Sequence, residues 1–239
     1  MKIPVMKGTI ERRILVNYTV DPEVMAKIIP APFRLKLYKG RAVAGICLIR
    51  LKDVRPAGLP GMLGVSSENG AHRIAVEWTD KGVVKEGVFV PRRDTSSLLN
   101  QIAGGCIFPG LHYPALFDVK ESNDHYHVAF KSDDGTTVSV TGSVADEFQS
   151  GSVFQTLDNS SKFFEAGAVG FSPKGNLFEG LALRTYSWKV MPLKVESVHS
   201  AFFENTSMFP AGSVQFDHAL LMKDIDHEWQ TLDNMSVCC

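Results

Sequence analysis

The segment Pro91-Arg92-Arg93-Asp94-Thr95 concentrates groups that could do chemistry, at the point where an apolar run, Val83 to Val90, ends and Asp94 or Thr95 could cap a helix. Two guanidiniums beside a helix N-terminus suit a ligand that carries a carboxylate. Arg92 or Arg93 could equally pair with Asp94 or Glu86 and anchor the chain, and the sequence leaves open which of the two looks inward. His112 and Tyr113 follow a Gly- and Pro-rich turn, Gly104 to Gly110. A histidine there could act as a general base, with Tyr113 as a neighbouring ligand contact. His72 and Arg73 form a third group, with Glu68 just before them. Successive strand residues face opposite sides, so one of His72 and Arg73 can look inward, and His72 is the one expected there. Arg12 and Arg13 open the first strand as an exposed basic edge or as a ligand contact.

Other chemistries find less support. His125-x-His127 would place two imidazoles on one strand face, but no third ligand lies nearby in the sequence, so no metal site is expected. Asp217-His218 resembles a charge-relay pair, yet neighbours in a strand point apart, which argues for a structural role. There is no Gly-x-Ser-x-Gly elbow, Walker loop or dinucleotide fingerprint. Cys47 and Cys106 lie in apolar surroundings and read as small buried hydrophobes, while Cys238 and Cys239 read as exposed tail, so no disulfide framework is expected.

The elements that must position these groups are mainly strands. Alternating apolar residues rich in β-branched and aromatic types recur at Ile10 to Val20, Ala42 to Val54, Arg73 to Trp78, Val83 to Val90, Tyr126 to Lys131, Thr136 to Val144, Leu183 to Met191 and Ser213 to Met222. Asp80-Lys81-Gly82, Ser122-Asn123-Asp124 and Asp133-Asp134-Gly135 are hairpin signals too short for parallel crossovers, so the sheet should be mainly antiparallel. Helices are expected from Asp21-Pro22 to Ile29, from Asp94 or Thr95 to about Ala103, and over Ser160 to Ala166. Arg55 to Gly70, rich in Pro and Gly, is the longest irregular stretch and a candidate lid.

A chain of 239 residues, 44% hydrophobic, can bury one substantial core, and residues 1–239 are read as a single domain. With 25 basic against 26 acidic residues there is no strong field to gather nucleic acid or an anionic membrane, and neither partner is expected. No apolar stretch is long enough for a membrane helix and the first residues lack a signal-peptide pattern, which gives a cytoplasmic expectation.

Three segments together resemble the acetoacetate decarboxylase superfamily, specifically its uncharacterised bacterial branch, domain of unknown function 2071. They are Leu15-Val16-Asn17-Tyr18-Thr19-Val20-Asp21 with Ile28-Ile29-Pro30-Ala31-Pro32-Phe33; Gly87-Val88-Phe89-Val90-Pro91-Arg92-Arg93-Asp94 with Phe108-Pro109-Gly110-Leu111-His112-Tyr113-Pro114; and Val214-Gln215-Phe216-Asp217-His218-Ala219. The resemblance implies a mainly β (α+β) fold, an antiparallel conical β-barrel with surrounding strands, two or three short helices and a central cavity. In the decarboxylase, a lysine between a Tyr-Pro pair and a Gly-Tyr-Pro triplet forms a Schiff base with the substrate ketone. Here Phe108-Pro109 and His112-Tyr113-Pro114 bracket only Gly110 and Leu111, and the closest lysines, Lys85 and Lys120, match nothing in that motif. The family's acidic position in the second long strand appears as Cys47, its carboxylate-binding arginine as Arg12 or Arg13, and its loop glutamate as Glu68. Members of the family can assemble into large rings, so a homo-oligomer stays open.

The expectation is therefore a protein that binds a small organic acid in the barrel cavity without Schiff-base decarboxylation and without a cofactor. Arg92, Arg93, Arg13, Glu68 and Tyr113 are the candidate ligand contacts, and His72 and His112 the candidate proton-moving groups. A lyase or decarboxylase acting without the usual lysine, and a structural or interaction domain with a filled cavity, are the alternatives.

Overall fold

The longest apolar runs become strands buried on both faces. In β1 (Met6–Val20) every residue from Ile14 onward is buried, and in β4 (Arg41–Pro56) the same holds from Ala42 to Leu48. A strand covered on both sides has no polar face, hence its near-continuous hydrophobic sequence. The computed structural model describes residues 5–97 and 110–236. Between β1 and β4 lie α1 (Pro22–Met25), β2 (Arg34–Leu35) and β3 (Leu37–Tyr38); after β4 come a 3-10 turn (Gly61–Leu63), β5 (Val65–Asp80) and β6 (Val83–Thr95). The chain continues as β7 (His112–Ser122), β8 (His125–Ser132), β9 (Thr137–Val144), α2 (Leu157–Glu165), β10 (Val169–Lys174), β11 (Leu177–Thr185), β12 (Met191–Ser200), β13 (Val214–Thr231) and β14 (Met235–Ser236).

All fourteen strands belong to one sheet that closes on itself twice. The ladders β13–β1–β4–β5–β6 form a shared wall. On one side β10 and β11 complete a ring of seven strands by joining β6 to β13. On the other, β7, β8, β9 and β12 complete a ring of nine. Among the described residues only the short β6–β10 and β6–β7 pairings are parallel, so the mainly β, predominantly antiparallel class expected from the sequence is present. Two cores follow from the two rings. Ile14, Val16, Ile46, Leu48, Ile74, Val128 and Leu221 fill one, while Ile10, Leu15, Cys47, Leu51, Ala71, Val90 and Trp229 face the other.

The three hairpin signals act as read. Lys81 and Gly82 (φ 49° and 80°) and Asn123 and Asp124 (φ 48° and 62°) adopt left-handed conformations, and Gly135 (φ 88°) turns β8 into β9. Two consecutive left-handed residues match the right-handed twist of the flanking strands. Asp21 caps α1 by accepting from Glu23 N at 2.8 Å, although the helix ends at Met25 rather than Ile29. Thr156 caps α2, which covers most of the expected Ser160 to Ala166 segment. No helix among the described residues is long and apolar enough to cross a membrane.

Other expectations change. Asp94 and Thr95 do not cap a helix; they are buried strand residues that pair with Tyr113 and Pro114 of β7, because β6 is drawn into the parallel ladder. The expected helix body to Ala103 lies outside the described residues. β5 begins at Val65, eating into the expected Arg55 to Gly70 loop, and the Leu183 to Met191 run is divided between the end of β11 and the start of β12.

Gly45 is where the wall is tightest. A Cβ there would lie 2.2 Å from the Val16 carbonyl oxygen and 3.3 Å from an Arg73 guanidinium nitrogen. Gly45→Ala is expected to destabilise the fold by about 1–3 kcal/mol through overpacking, read as a lowered urea midpoint; unchanged stability would show that the wall yields at this point.

Candidate functional site

The seven-strand ring holds a cavity of about 120 Å³. Its apolar wall includes Ile10, Leu51, Val88, Val90, Leu181 and Trp229, and its polar groups are Arg13, Cys47, Asn69, Arg73, Arg93, Asp94 and His112. Arg13 comes from β1, Cys47 from β4, Arg73 from β5, Arg93 from β6 and His112 from β7, so the shared wall supplies all three cations. Arg73 Nε donates to Cys47 Sγ at 3.2 Å, and Arg13 Nη2 approaches the same sulfur at 3.7 Å. The Arg73 guanidinium also lies 4.6 Å from the Phe164 ring centre, a cation–π contact. Arg93 Nε donates to Ser172 Oγ at 3.2 Å. Among the described residues no carboxylate lies within ion-pairing distance of Arg13, Arg73 or Arg93. Asp94, the one carboxylate in the described lining, is held by Arg92 and by Ser132 Oγ at 2.6 Å.

Burial and the concentration of positive charge together set the protonation states. Burial pushes the Cys47 thiol up, but the charges and hydrogen bonds of Arg73 and Arg13 outweigh it and leave the thiol below its ordinary value. Burial lowers Arg93 to about 10, so it remains a cation at neutral pH. His112, opposite Arg93 in the parallel ladder, is lowered to about 4 by burial and then by that arginine, and is a neutral imidazole at pH 7.

A buried polar chain runs back from the cavity. Arg73 Nη2 donates to Asn17 Oδ1, and Asn17 Nδ2 lies 3.1 Å from His218 Nε2. His218 Nδ1 is 2.5 Å from Asp217 Oδ2, which also accepts from Ser152 Oγ at 2.6 Å, while Asp217 Oδ1 accepts from Val153 N at 2.9 Å. Burial lowers the His218 pKa despite the opposing pull of Asp217, so the ring is neutral, with its Nδ1–H directed at the carboxylate and its Nε2 as an acceptor. Ser160 Oγ, 2.7 Å away, donates to the same Nε2. The three residue types match a hydrolase triad, but Ser160 and His218 are both completely buried, and the histidine's acceptor is shared with Asn17. The arrangement therefore fixes the Asn17 amide and, through it, Arg73. Adjacent residues Asp217 and His218 were expected to point apart; a register shift opposite Asn17 and Tyr18 lets them meet.

The two chambers sort the remaining candidates. Arg13, Arg93 and His112 line the cavity. Arg92 does not: its guanidinium pairs with Asp94 at 2.6 Å and Asp134 at 2.5 Å and lies 4.1 Å from the centre of the Tyr113 ring. One extra residue in β6, between the pairs Ile74–Phe89 and His72–Arg92, reverses the alternation, which is why Val88, Val90 and then Arg93 share a face. His72 is corrected as the inward residue of its pair. Arg73 enters the cavity, whereas His72 points into the nine-strand ring, 4.8 Å from Phe202, with neither ring nitrogen hydrogen-bonded. Glu68 is engaged by Arg12 and by Arg50, both at 2.5 Å, and Tyr113 serves as the surface beneath Arg92. A similar shift after Ile10 sends Arg12 to Glu68 and Glu121 and Arg13 to the cavity. Arg73 and Cys47 also line the cavity although neither was among the candidate contacts; Cys47 is buried as expected, and Arg73 showed in the sequence only as a charge interrupting a strand pattern. His125 and His127 contact Glu196 and Thr141, and no metal-binding cluster occurs among the described residues.

The sequence profile of DUF2071, an uncharacterized conserved protein family, matches residues 8–221. The chain belongs to that family. No curated protein matches this DUF2071 chain. Among solved structures, the acetoacetate decarboxylase of Legionella pneumophila superposes with a TM-score of 0.63 at 14% identity, covering 96% of this chain and 87% of that one. An acetoacetate decarboxylase-like enzyme from Sphingomonas wittichii RW1 gives 0.58 at 11%, covering 100% and 94%. The enduracididine biosynthesis enzyme MppR, complexed with pyruvate, gives 0.59 at 9%, covering 100% and 91%. At these identities the likeness is one of fold. The DUF2071 chain thus has an acetoacetate decarboxylase-like fold whose described cavity lining contains no lysine.

Two outcomes follow for stability. Arg92→Met leaves buried Asp94 without its cation and is expected to cost about 3–5 kcal/mol in urea unfolding; a loss below about 1 kcal/mol would remove its anchoring role. His72, His112 and His227 have pKa values lowered to about 3, 4 and 4, with burial the first cause in each. An unfolded histidine binds its proton near pH 6.5, so each contributes stability that is complete above that value and lost as pH falls towards about 4, at roughly 1.4 kcal/mol per pH unit per histidine. His72→Phe should flatten that slope between pH 6 and 4, and an unchanged slope would show that His72 does not carry it.

Proposed function

We propose that the protein binds a small organic acid in the seven-strand cavity, its carboxylate held by Arg13, Arg73 and Arg93, and that it does so without forming an imine. The observation that carries this reading is the presence of three guanidiniums on one cavity with no carboxylate within ion-pairing distance among the described residues. A buried cation is costly unless it is paired, so such a cluster favours an anion that arrives from outside. The apolar wall restricts the ligand to a compact body, and about 120 Å³ accommodates a few heavy atoms rather than a nucleotide. The absence of lysine from the described lining, and from residues 98–109, supports binding without the covalent ketone chemistry of the relatives.

In this reading His112, which lines the same cavity, lies beside the bound acid. It is a neutral imidazole beside Arg93, and its low pKa makes it a weak proton acceptor at neutral pH. Arg92, Glu68, Tyr113 and His72 belong to the supporting structure in this reading.

Titration calorimetry with a panel of small mono- and dicarboxylates should find a binder whose affinity falls about 10–100-fold in Arg93→Met and in Arg13→Met, the loss expected when a charged hydrogen bond is removed. Failure of every acid to bind, or affinity unchanged from the unmodified protein in both variants, would reject the assignment. Borohydride treatment with a 2-oxo acid should leave the protein mass unchanged; a reduced lysine adduct would instead establish the lyase alternative.

A further inference from the structure

Carboxylate binding leaves the Cys47 sulfur of the cavity wall without a role. It sits on the wall between Arg73 Nε, at 3.2 Å, and Arg13 Nη2, at 3.7 Å, and it borders the open volume rather than packing only against apolar neighbours. Arg93 faces the same space from β6, and the Cys47–Ala71–Arg93 pairing across β4, β5 and β6 places sulfur and guanidinium on the same face two strands apart. The Nε of Arg13 is buried and has no hydrogen-bond partner among the described residues. The site therefore combines an unsatisfied cationic donor, able to receive a carboxylate, with a sulfur a few ångströms away.

We propose that Cys47 is a nucleophile, and that the cavity delivers to it small carboxylates whose electrophilic carbon is adjacent to the carboxylate, 2-oxo acids being the natural class. This rests on the carboxylate-binding reading above. With a 2-oxo acid, the sulfur lone pair forms an S–C bond to the carbonyl carbon, and the carbonyl π pair moves to oxygen. That oxygen takes a proton from solvent, giving a reversible thiohemiketal with no change in oxidation state. With a halogenated acid such as iodoacetate, the S–C bond forms as the C–I bond breaks and iodide leaves. The surrounding guanidiniums favour the ionised thiol, the reactive form, and attract the anionic reagent.

The decisive probe is the pair iodoacetate and iodoacetamide, which differ in charge and scarcely in size. An ordinary exposed thiol reacts faster with the neutral amide. In the folded full-length protein, Cys47 is expected to reverse that order and react at least about tenfold faster with iodoacetate, as located by peptide mapping. The preference should disappear in Arg13→Met and in urea, and a 2-oxo acid should slow the reaction in proportion to its occupancy of the cavity. If carboxylates bind in calorimetry but Cys47 stays unmodified, or shows the ordinary amide preference, the nucleophile is overturned while the binding reading stands. If neither binding nor preference is found, both fall. Cys47→Ser should lose the iodoacetate adduct and its preference over the amide; an iodoacetate-selective adduct that persists in Cys47→Ser would place the reactive group elsewhere and overturn the proposal.

Discussion

A strand enclosed on both sides delivers alternate side chains to two different compartments, and five such strands form the wall of this molecule. Each wall residue must therefore belong to one chamber or the other. A single extra residue in one strand of a pair exchanges the two sets beyond it. The register shifts in β1 and β6 do this just before Arg13 and Arg93, and in consequence Arg12 and Arg92 enter networks with Glu68, Asp94 and Asp134. The site exists because the ladder is irregular at these places.

The second constraint is the charge so collected. Arg73 is only 4% exposed, and taking a guanidinium out of water has to be offset by directed partners. Cys47, Asn17 and the face of Phe164 supply them, and His218 with Asp217 holds Asn17 in the orientation that presents its oxygen. The chain of hydrogen bonds explains why Ser160 and His218 of a Ser-His-Asp set are completely buried. Its use is to fix an amide, which requires the imidazole to be neutral and its tautomer unambiguous. Arg13 and Arg93, with fewer partners, are the groups whose electrostatic demand remains open to a ligand.

Membership of DUF2071 and a shared fold with acetoacetate decarboxylases do not by themselves assign a reaction, since chemistry resides in the groups placed on a fold. The relevant comparison is of those groups. In this chain the cavity lining brings together Arg13, Arg73 and Arg93, the Cys47 thiol and the neutral His112 imidazole.

The sequence by itself determined the class. β-branched and aromatic alternation gave the strands, left-handed turn residues gave the hairpins, and Asp21-Pro22 gave the first helix, because these are local preferences that act within a few residues. It also brought Arg13, Arg93 and His112 forward as candidates. It read Cys47 rightly as a buried residue, but it placed His72 rather than Arg73 toward the cavity and left Arg92 and Arg93 undecided. Those questions depend on which face of a doubly buried strand meets which chamber, and that face is set by bulges in ladders between segments distant in sequence. Only the tertiary structure fixes that register, since the hydrogen bonds that define it are made across the sheet and leave no periodic trace in the chain.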